Sequence, residues 1–178
     1  MHVNYADDPR LQFIEKDPET GLQVYLYRPT LFRPVYTNMV PMRFIRRMRF
    51  LLEYLHKDRY SVYYAVLDGK FIGYNVIAPG GRRLTCTTAQ DGVTGPSYIL
   101  PAYRNHGYNK VMKKIVFRHC GFEKIYCWVM KTNKPSAASL EKFGFVPCGE
   151  VTEKGILRKE YPVANGESTV FVYEKTAD

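Results

Sequence analysis

Apolar and polar positions alternate along Leu22-Gln23-Val24-Tyr25-Leu26-Tyr27-Arg28, which predicts a strand entered through the turn-forming run Asp17-Pro18-Glu19-Thr20-Gly21. After a loop carrying Pro29 and Pro34 the period lengthens. Ile45, Met48, Leu52 and Leu55 recur at helical spacing from Pro41 to Lys57, and Pro41 suits a first helical turn. Two apolar runs, Tyr60 to Leu67 and Phe71 to Ile77, are joined by Asp68-Gly69-Lys70, a hairpin signal. Ala78-Pro79-Gly80-Gly81-Arg82-Arg83 breaks that pattern, and the stretch from Leu84 to Pro96 predicts a turn and the start of a fourth strand.

Tyr98-Ile99-Leu100 reads as the buried end of that strand, and Pro101 removes a backbone donor and stops the pairing. Val111, Met112, Ile115 and Val116 then recur with helical spacing, so the chain turns from strand into helix around Gly107. Lys124 to Met130 is apolar enough for an interior fifth strand, and Asn133 to Phe143 follows as a helix ended by Gly144. Phe145 to Thr152 and Ser168 to Glu174 are the last strand candidates, linked by a polar segment with Gly155, Pro162 and Gly166. The order βαβββαβαββ predicts an α/β (α+β) fold, a mixed sheet covered by helices. It fits one domain over residues 1–178, with no repeat and no low-complexity linker.

Composition narrows the class. Apolar residues make up 46% and charged residues 24%, as in an ordinary globular protein. No stretch reaches the ~20 apolar residues of a membrane span. Met1 to Asp8 lacks the basic start and apolar core of a signal peptide, so the expected location is the cytoplasm, with no membrane partner. Cys86, Cys120, Cys127 and Cys148 form no CxxC pair and no zinc or disulfide spacing, which predicts free thiols and no metal; a nucleophilic role needs a base that the sequence does not place. The formal charge of +9 gives a field that attracts anions, from nucleotide cofactors to nucleic acids. No basic run is interleaved with a nucleic-acid motif, which argues against that partner.

The strand-to-helix turn carries the chemistry. Consecutive amides without partners collect at the positive end of a new helix, where an anion such as phosphate fits, and Gly107 lets the backbone bend sharply there. Taken alone, the same glycine is compatible with ordinary turn chemistry. Arg104-x-x-Gly107-x-Asn109 resembles the R/Q-x-x-G-x-G/A acyl-CoA loop of the GNAT N-acetyltransferase superfamily. The later run Asn133-Lys134-Pro135-Ser136 to Lys142-Phe143-Gly144-Phe145 resembles the family's N-x-x-[AS]…K-x-G-F segment, in the right order and one helix and one strand further on. The likeness extends over residues 22–175, by pattern only in the first third.

The resemblance implies a mostly antiparallel mixed sheet of about seven strands flanked by about four helices. In it the fourth and fifth strands splay so that the pantetheine arm of acetyl-CoA, the co-substrate, lies between them. Backbone groups of Ile99 and Leu100 would pair with pantetheine. Arg104 opens the loop, and the amides of Asn105, His106, Gly107, Tyr108 and Asn109 would hold the pyrophosphate. The Asn133 side chain would bind the pantetheine or the reacting centre, with Ser136 capping or touching the cofactor. An acceptor amine would attack the thioester directly, with a strand amide near Ile99 or Leu100 polarising its carbonyl. In such a fold the early helices line the acceptor site. Arg46 and Arg47 then suit an acidic small-molecule amine, the alternative being a solvated helix face.

Two positions depart from the pattern. Asn109 stands where Gly or Ala is usual, and Leu140 stands where many members carry the tyrosine that protonates the leaving thiolate. Tyr103, Tyr108 and Tyr126 lie near in sequence, and Asp91 and Glu150 are candidate bases beside water; none is assigned as catalytic. The reading is an acyl-CoA-dependent N-acetyltransferase. A catalytically silent CoA-binding sensor or scaffold and a basic anion- or nucleic-acid-binding domain stay open as alternatives, as does a homodimer.

Overall fold

Asp68 and Gly69 both adopt positive φ, 49° and 70°, the mirror-image turn that a two-residue hairpin needs. They join β3 (Ser61–Leu67) to β4 (Lys70–Pro79), which pair antiparallel as the sequence predicts. The computed structural model describes residues 8–30, 33, 35–37, 39, 60–155 and 159–175. The helix expected from Pro41 to Lys57, with Arg46 and Arg47, lies outside these residues.

The chain divides into two compact units, Met1–Ala78 with Gly95–Gly121, and Pro79–Thr94 with Phe122–Asp178. In the first, β1 (Leu11–Lys16), β2 (Gln23–Tyr27), β3 and β4 form an antiparallel meander. Asp17 makes the β1–β2 turn, its Oδ2 accepting from Thr20 N at 2.8 Å and Thr20 Oγ1 at 2.6 Å. Strand alternation sends Tyr25, Tyr27, Val62, Tyr64, Val66, Tyr74 and Val76 into one aromatic core. The last residues of β5 (Gly92–Ile99) and helix α1 (Tyr108–His119) complete this unit. Helix α1 buries Met112, Ile115, Val116 and Phe117 and packs on β1 and β2. Glu15 of β1 accepts from Arg118 at 2.7 Å and lies 2.8 Å from the His119 ring nitrogen, pinning the helix's C-terminal end.

The second unit holds the first residues of β5, then β6 (Lys124–Met130), helix α2 (Lys134–Phe143), β7 (Val146–Lys154), β8 (Lys159–Pro162) and β9 (Ser168–Glu174). Its strand order is β5-β6-β9-β7-β8. The β5–β6 pair is parallel and the others are antiparallel. The strands expected to splay are β5 and β6. Two of the eight β5 residues enter their ladder, Gly92 with Ile125 and Val93 with Tyr126. A small core of Leu84, Val93, Val151 and Val170 takes Tyr126 and Trp128 against it.

The class is as expected, a mixed and largely antiparallel sheet with helices. Nine strands are described instead of about seven, the additions being β1 and β8. Both are polar edge strands: only Leu11 of β1 is buried and a bulge at Ile14 breaks its alternation, while β8 is four residues ending in proline. Two α-helices are described, against about four expected. Among the described residues no helix is long and apolar enough to cross a membrane, and no cluster of three His, Cys, Asp or Glu is placed to hold a metal. All four cysteines are free.

Candidate active site at the strand-to-helix turn

At the end of β5 the peptide joining Ile99 to Leu100 is held at both ends. Leu100 N–H donates to Ile72 O of β4 at 2.8 Å, and Ile99 O accepts from Arg104 Nε at 3.0 Å. A trans peptide points its N–H and C=O opposite ways, and in extended chain the N–H and C=O of one residue share a side. The Ile99 amide therefore faces the edge away from β4. Leu100 faces β4, and its carbonyl is engaged as well, by Tyr103 N at 2.9 Å. Both main-chain groups of Leu100 thus bond within the chain. Ile99 is the residue of the two that presents an amide.

Pro101–Tyr103 make a 3-10 turn, and then Asn105 and Gly107 take left-handed backbone, φ 65° and 79°. Alternating backbone handedness of this kind turns successive N–H groups into one concavity. Gly107 is the N-cap of α1 and offers no side chain to the first turn. Lys110 and Val111 amides bond Gly107 O at 2.9 and 3.1 Å, so the amides of Tyr108 and Asn109 are the helix-end donors. No acidic residue occupies that turn, and a Cβ built on Gly107 meets nothing within 4 Å. The cradle is open and positive, which suits a diphosphate.

Side chains brace this loop. His106 Nδ1 lies 2.6 Å from Arg104 O; the carbonyl can only accept, so Nδ1 carries the hydrogen. The imidazole stacks on Tyr108, with centroids 5.8 Å apart. Asn109 Oδ1 accepts from Ser97 Oγ at 3.0 Å, which ties the larger side chain at this position to β5. Ser97 carries no periodic or motif signal that would single it out from the sequence. Gly73 does carry one that sequence reasoning missed, since a glycine inside an apolar strand run signals close approach. A Cβ there would lie 2.5 Å from Tyr98 O and would overlap Ile99 Cδ1, so β5 reaches β4 only because Gly73 lacks one.

Ile99, Leu100 and residues 104–109 are thus brought together in the first unit. Asn133 and Ser136 come together in the second. Asn133 caps α2, its Oδ1 accepting from Ser136 N at 3.3 Å, with Pro135 in the first turn. The carbonyl oxygen is used by the cap and the Nδ2 hydrogens are the side chain's remaining donors.

The candidate proton-transfer groups are less favourably placed. Leu140 is 5% exposed, and its carbonyl accepts from Gly144 and Phe145 to close α2. Asp91 Oδ2 accepts from Thr88 N and Thr88 Oγ1, at 2.7 and 2.8 Å, shaping its own loop. Glu150 pairs with Lys131 at 2.6 Å and accepts from Gly166 N at 2.8 Å; the lysine first, and the amide after it, hold its carboxyl below the usual value. Burial, and to a lesser degree the negative charge of Asp91, push the Tyr126 phenol up. Within the same unit a cavity of about 390 Å³ is lined by Cys86, Cys148, Glu150, Val151, Val163 and Val170, among others. Burial raises both of its thiols above their ordinary value, which disfavours the nucleophilic thiolate.

Residues 28–145 match the Acetyltransferase (GNAT) family. No curated protein sequence matches the chain. Among solved structures, an acetyltransferase from Thermus thermophilus is similar over 92% of this chain and 100% of its own, at 14% identity and a TM-score of 0.56. A GNAT family acetyltransferase from Elizabethkingia anophelis, with acetyl-CoA bound, is similar over 85% of this chain and 98% of its own, at 14% identity and a TM-score of 0.54. The chain spans 66% of a protein from Pyrococcus horikoshii with 65% of its own length, at 15% identity and a TM-score of 0.48. At such identities the likeness is one of fold.

Proposed function

The chain belongs to the GNAT acetyltransferase family, and from that premise we propose that it is a cytoplasmic N-acetyltransferase that takes acetyl from acetyl-CoA to the primary amine of a small acceptor. The observation that carries this reading is the open turn before α1, with left-handed Asn105 and Gly107, free helix-end amides and no acid in the first turn. Bound there, acetyl-CoA would supply an acetyl group activated as a thioester. The amides of residues 105–109 would hold its diphosphate. The Ile99 amide, facing away from β4, would donate to a carbonyl oxygen of the pantetheine or the thioester. The Nδ2 of Asn133 would supply a further donor. In the transfer the amine nitrogen bonds to the acetyl carbon as the carbon–sulfur bond breaks, and the proton the amine loses balances the thiolate released.

The acceptor's acidity rests on Arg46 and Arg47, which lie outside the described residues. A single acetyltransferase domain over residues 1–178 is part of the same proposal. A catalytically silent CoA-binding module is the second reading, favoured by the buried Leu140 and by Glu150 and Asp91 being engaged in loop contacts. Thiol release from acetyl-CoA with a panel of amines, some carrying a carboxylate or phosphate, separates the two. Amine-dependent release supports the transferase; saturable CoA binding without release under any amine supports the silent module. Absence of CoA binding removes both.

A further inference from the structure

Arg104 holds the place of the family loop's first residue, where its charge invites the reading of a phosphate ligand. The geometry assigns it otherwise. Its Nε donates to Ile99 O at 3.0 Å, and its guanidinium carbon stands 5.2 Å from the centroid of the Tyr98 ring. Tyr98 in turn stacks on buried Tyr74 of β4, with centroids 5.9 Å apart and planes 28° from parallel. The side chain is thus laid over the end of β5, hydrogen-bonded to one residue and stacked on the one before it.

The consequence runs through one peptide group. Its N–H, on Leu100, is fixed by Ile72 O at 2.8 Å, and its carbonyl, on Ile99, is fixed by Arg104. A planar peptide held at both ends has its plane set, and while Ile99 keeps the extended conformation of β5 its own amide, one residue upstream, is oriented with that plane. We propose that Arg104 is a positioning residue, which clamps the Ile99–Leu100 peptide so that the Ile99 amide is presented to the pantetheine or thioester carbonyl, and that it does not grip the diphosphate. This rests on the reading that the chain binds acetyl-CoA.

Charge alone cannot do this task. The planar guanidinium offers a directed Nε–H and a face that lies on an aromatic ring, whereas lysine offers a point charge on a flexible stem. A phosphate contact, by contrast, is restored in part by lysine, which binds phosphate as a point charge.

The test compares two ligands by calorimetry. One is acetyl-CoA; the other is adenosine 3′-phosphate 5′-diphosphate, the fragment that keeps the diphosphate and ends before the pantetheine. For R104A the expected result is a roughly tenfold loss of acetyl-CoA affinity, the size of one well-placed hydrogen bond, with fragment affinity unchanged within about twofold. R104K gives the same pattern, and R104Q, which keeps a planar donor, recovers part of the acetyl-CoA affinity. Thermal unfolding of each variant establishes that it is folded, and R104K and R104Q carry the comparison if R104A is not. Equal loss of both ligands in R104A, or recovery by lysine, overturns the assignment alone. A wild-type chain that binds neither ligand overturns it together with the acetyl-CoA reading.

Discussion

Replacing Gly107 separates two explanations of the cradle, crowding and backbone handedness. The residue sits at φ 79°, ψ −7°, and a Cβ added there has open space around it. Strain is then the whole of the cost to the unliganded protein. Alanine in left-handed backbone costs about 1 to 2 kcal/mol, and a β-branched residue is a stronger outlier, roughly 2 to 3 kcal/mol. Total stability for a domain is about 5 to 15 kcal/mol, so each variant stays folded. For this chain length the melting temperature falls roughly 2 to 4 °C per kcal/mol.

The same strain sets the binding penalty. A substituted loop relaxes toward negative φ and turns the following amide out of the concavity, and the ligand must restore it. The loss of affinity is then at most the strain relieved, about 5- to 30-fold for Gly107→Ala and above that for Gly107→Val. Asparagine is the discriminating substitution, because it tolerates left-handed backbone and Asn105 already does so in this loop at φ 65°. Calorimetry with CoA is expected to rank affinity as Gly, then Asn, then Ala, then Val. Wild-type affinity in Gly107→Val would refute the role of the turn. An asparagine as damaging as valine would show that side-chain bulk beside the ligand governs, and backbone strain would then be the wrong cause.

Asn133→Ala removes the α2 cap and is expected to cost about 1 kcal/mol in thermal unfolding, whereas Asn133→Asp keeps the acceptor and the stability. Acetyl-CoA affinity should drop in both, because each removes the Nδ2 donor; full affinity in Asn133→Asp would detach this residue from the ligand. Gly73→Ala forces β4 and β5 apart at Tyr98 O, and roughly 1 to 3 kcal/mol of destabilisation is expected in denaturant melts. The Glu150 carboxyl is held below its ordinary 4.5, so its contribution to stability is complete above that value and is lost as pH falls through the lowered one. The difference in melting temperature between wild type and Glu150→Gln should accordingly be constant near neutral pH and close on acidification below 4.5; a gap that widens in acid would contradict the ion pair's sign.

Period and turn chemistry are enough to read most of this fold. Lys124–Met130 and Ser168–Glu174 are legible to the residue, because each is a continuous run bounded by turn residues, and the two strands pair along their whole length. Leu11–Lys16 is not legible as a strand, since one buried residue and a bulge leave no alternation to display. The Asp17 to Gly21 run therefore shows itself as a turn with only one visible arm. The loop at Gly107 can be read from local chemistry, a glycine between strand and helix. The bracing of Ile99 by Arg104 cannot, because it depends on where a long side chain folds back and on Tyr98 meeting Tyr74 across two strands. Which of Ile99 and Leu100 turns its amide away from β4 is hidden from the sequence for a related reason. Which of two neighbouring residues faces an open edge follows from ladder register, and register is set by partners such as Ile72 that lie far off in sequence.

The proton-transfer groups bear on whether a catalyst without the usual tyrosine is reasonable. Leu140 is buried, and Glu150 has its carboxyl lowered, which weakens it as a base. The Tyr126 phenol is raised, so it gives up a proton less readily. Leucine carries no proton to transfer, and neither the carboxyl nor the phenol is tuned toward neutral pH, where general acid–base catalysis works best and contributes about 10²- to 10⁴-fold. That forfeits roughly 3 to 5 kcal/mol, while holding two reactants in line is worth about 7 to 11 kcal/mol. A thiol leaves with a pKa of about 8.5 in the reference case, so its departure as thiolate needs little help from an acid. The larger share of the rate enhancement is therefore compatible with a site built of backbone amides and braces, and a chain that binds acetyl-CoA in this geometry is more readily a modest transferase than an inert one.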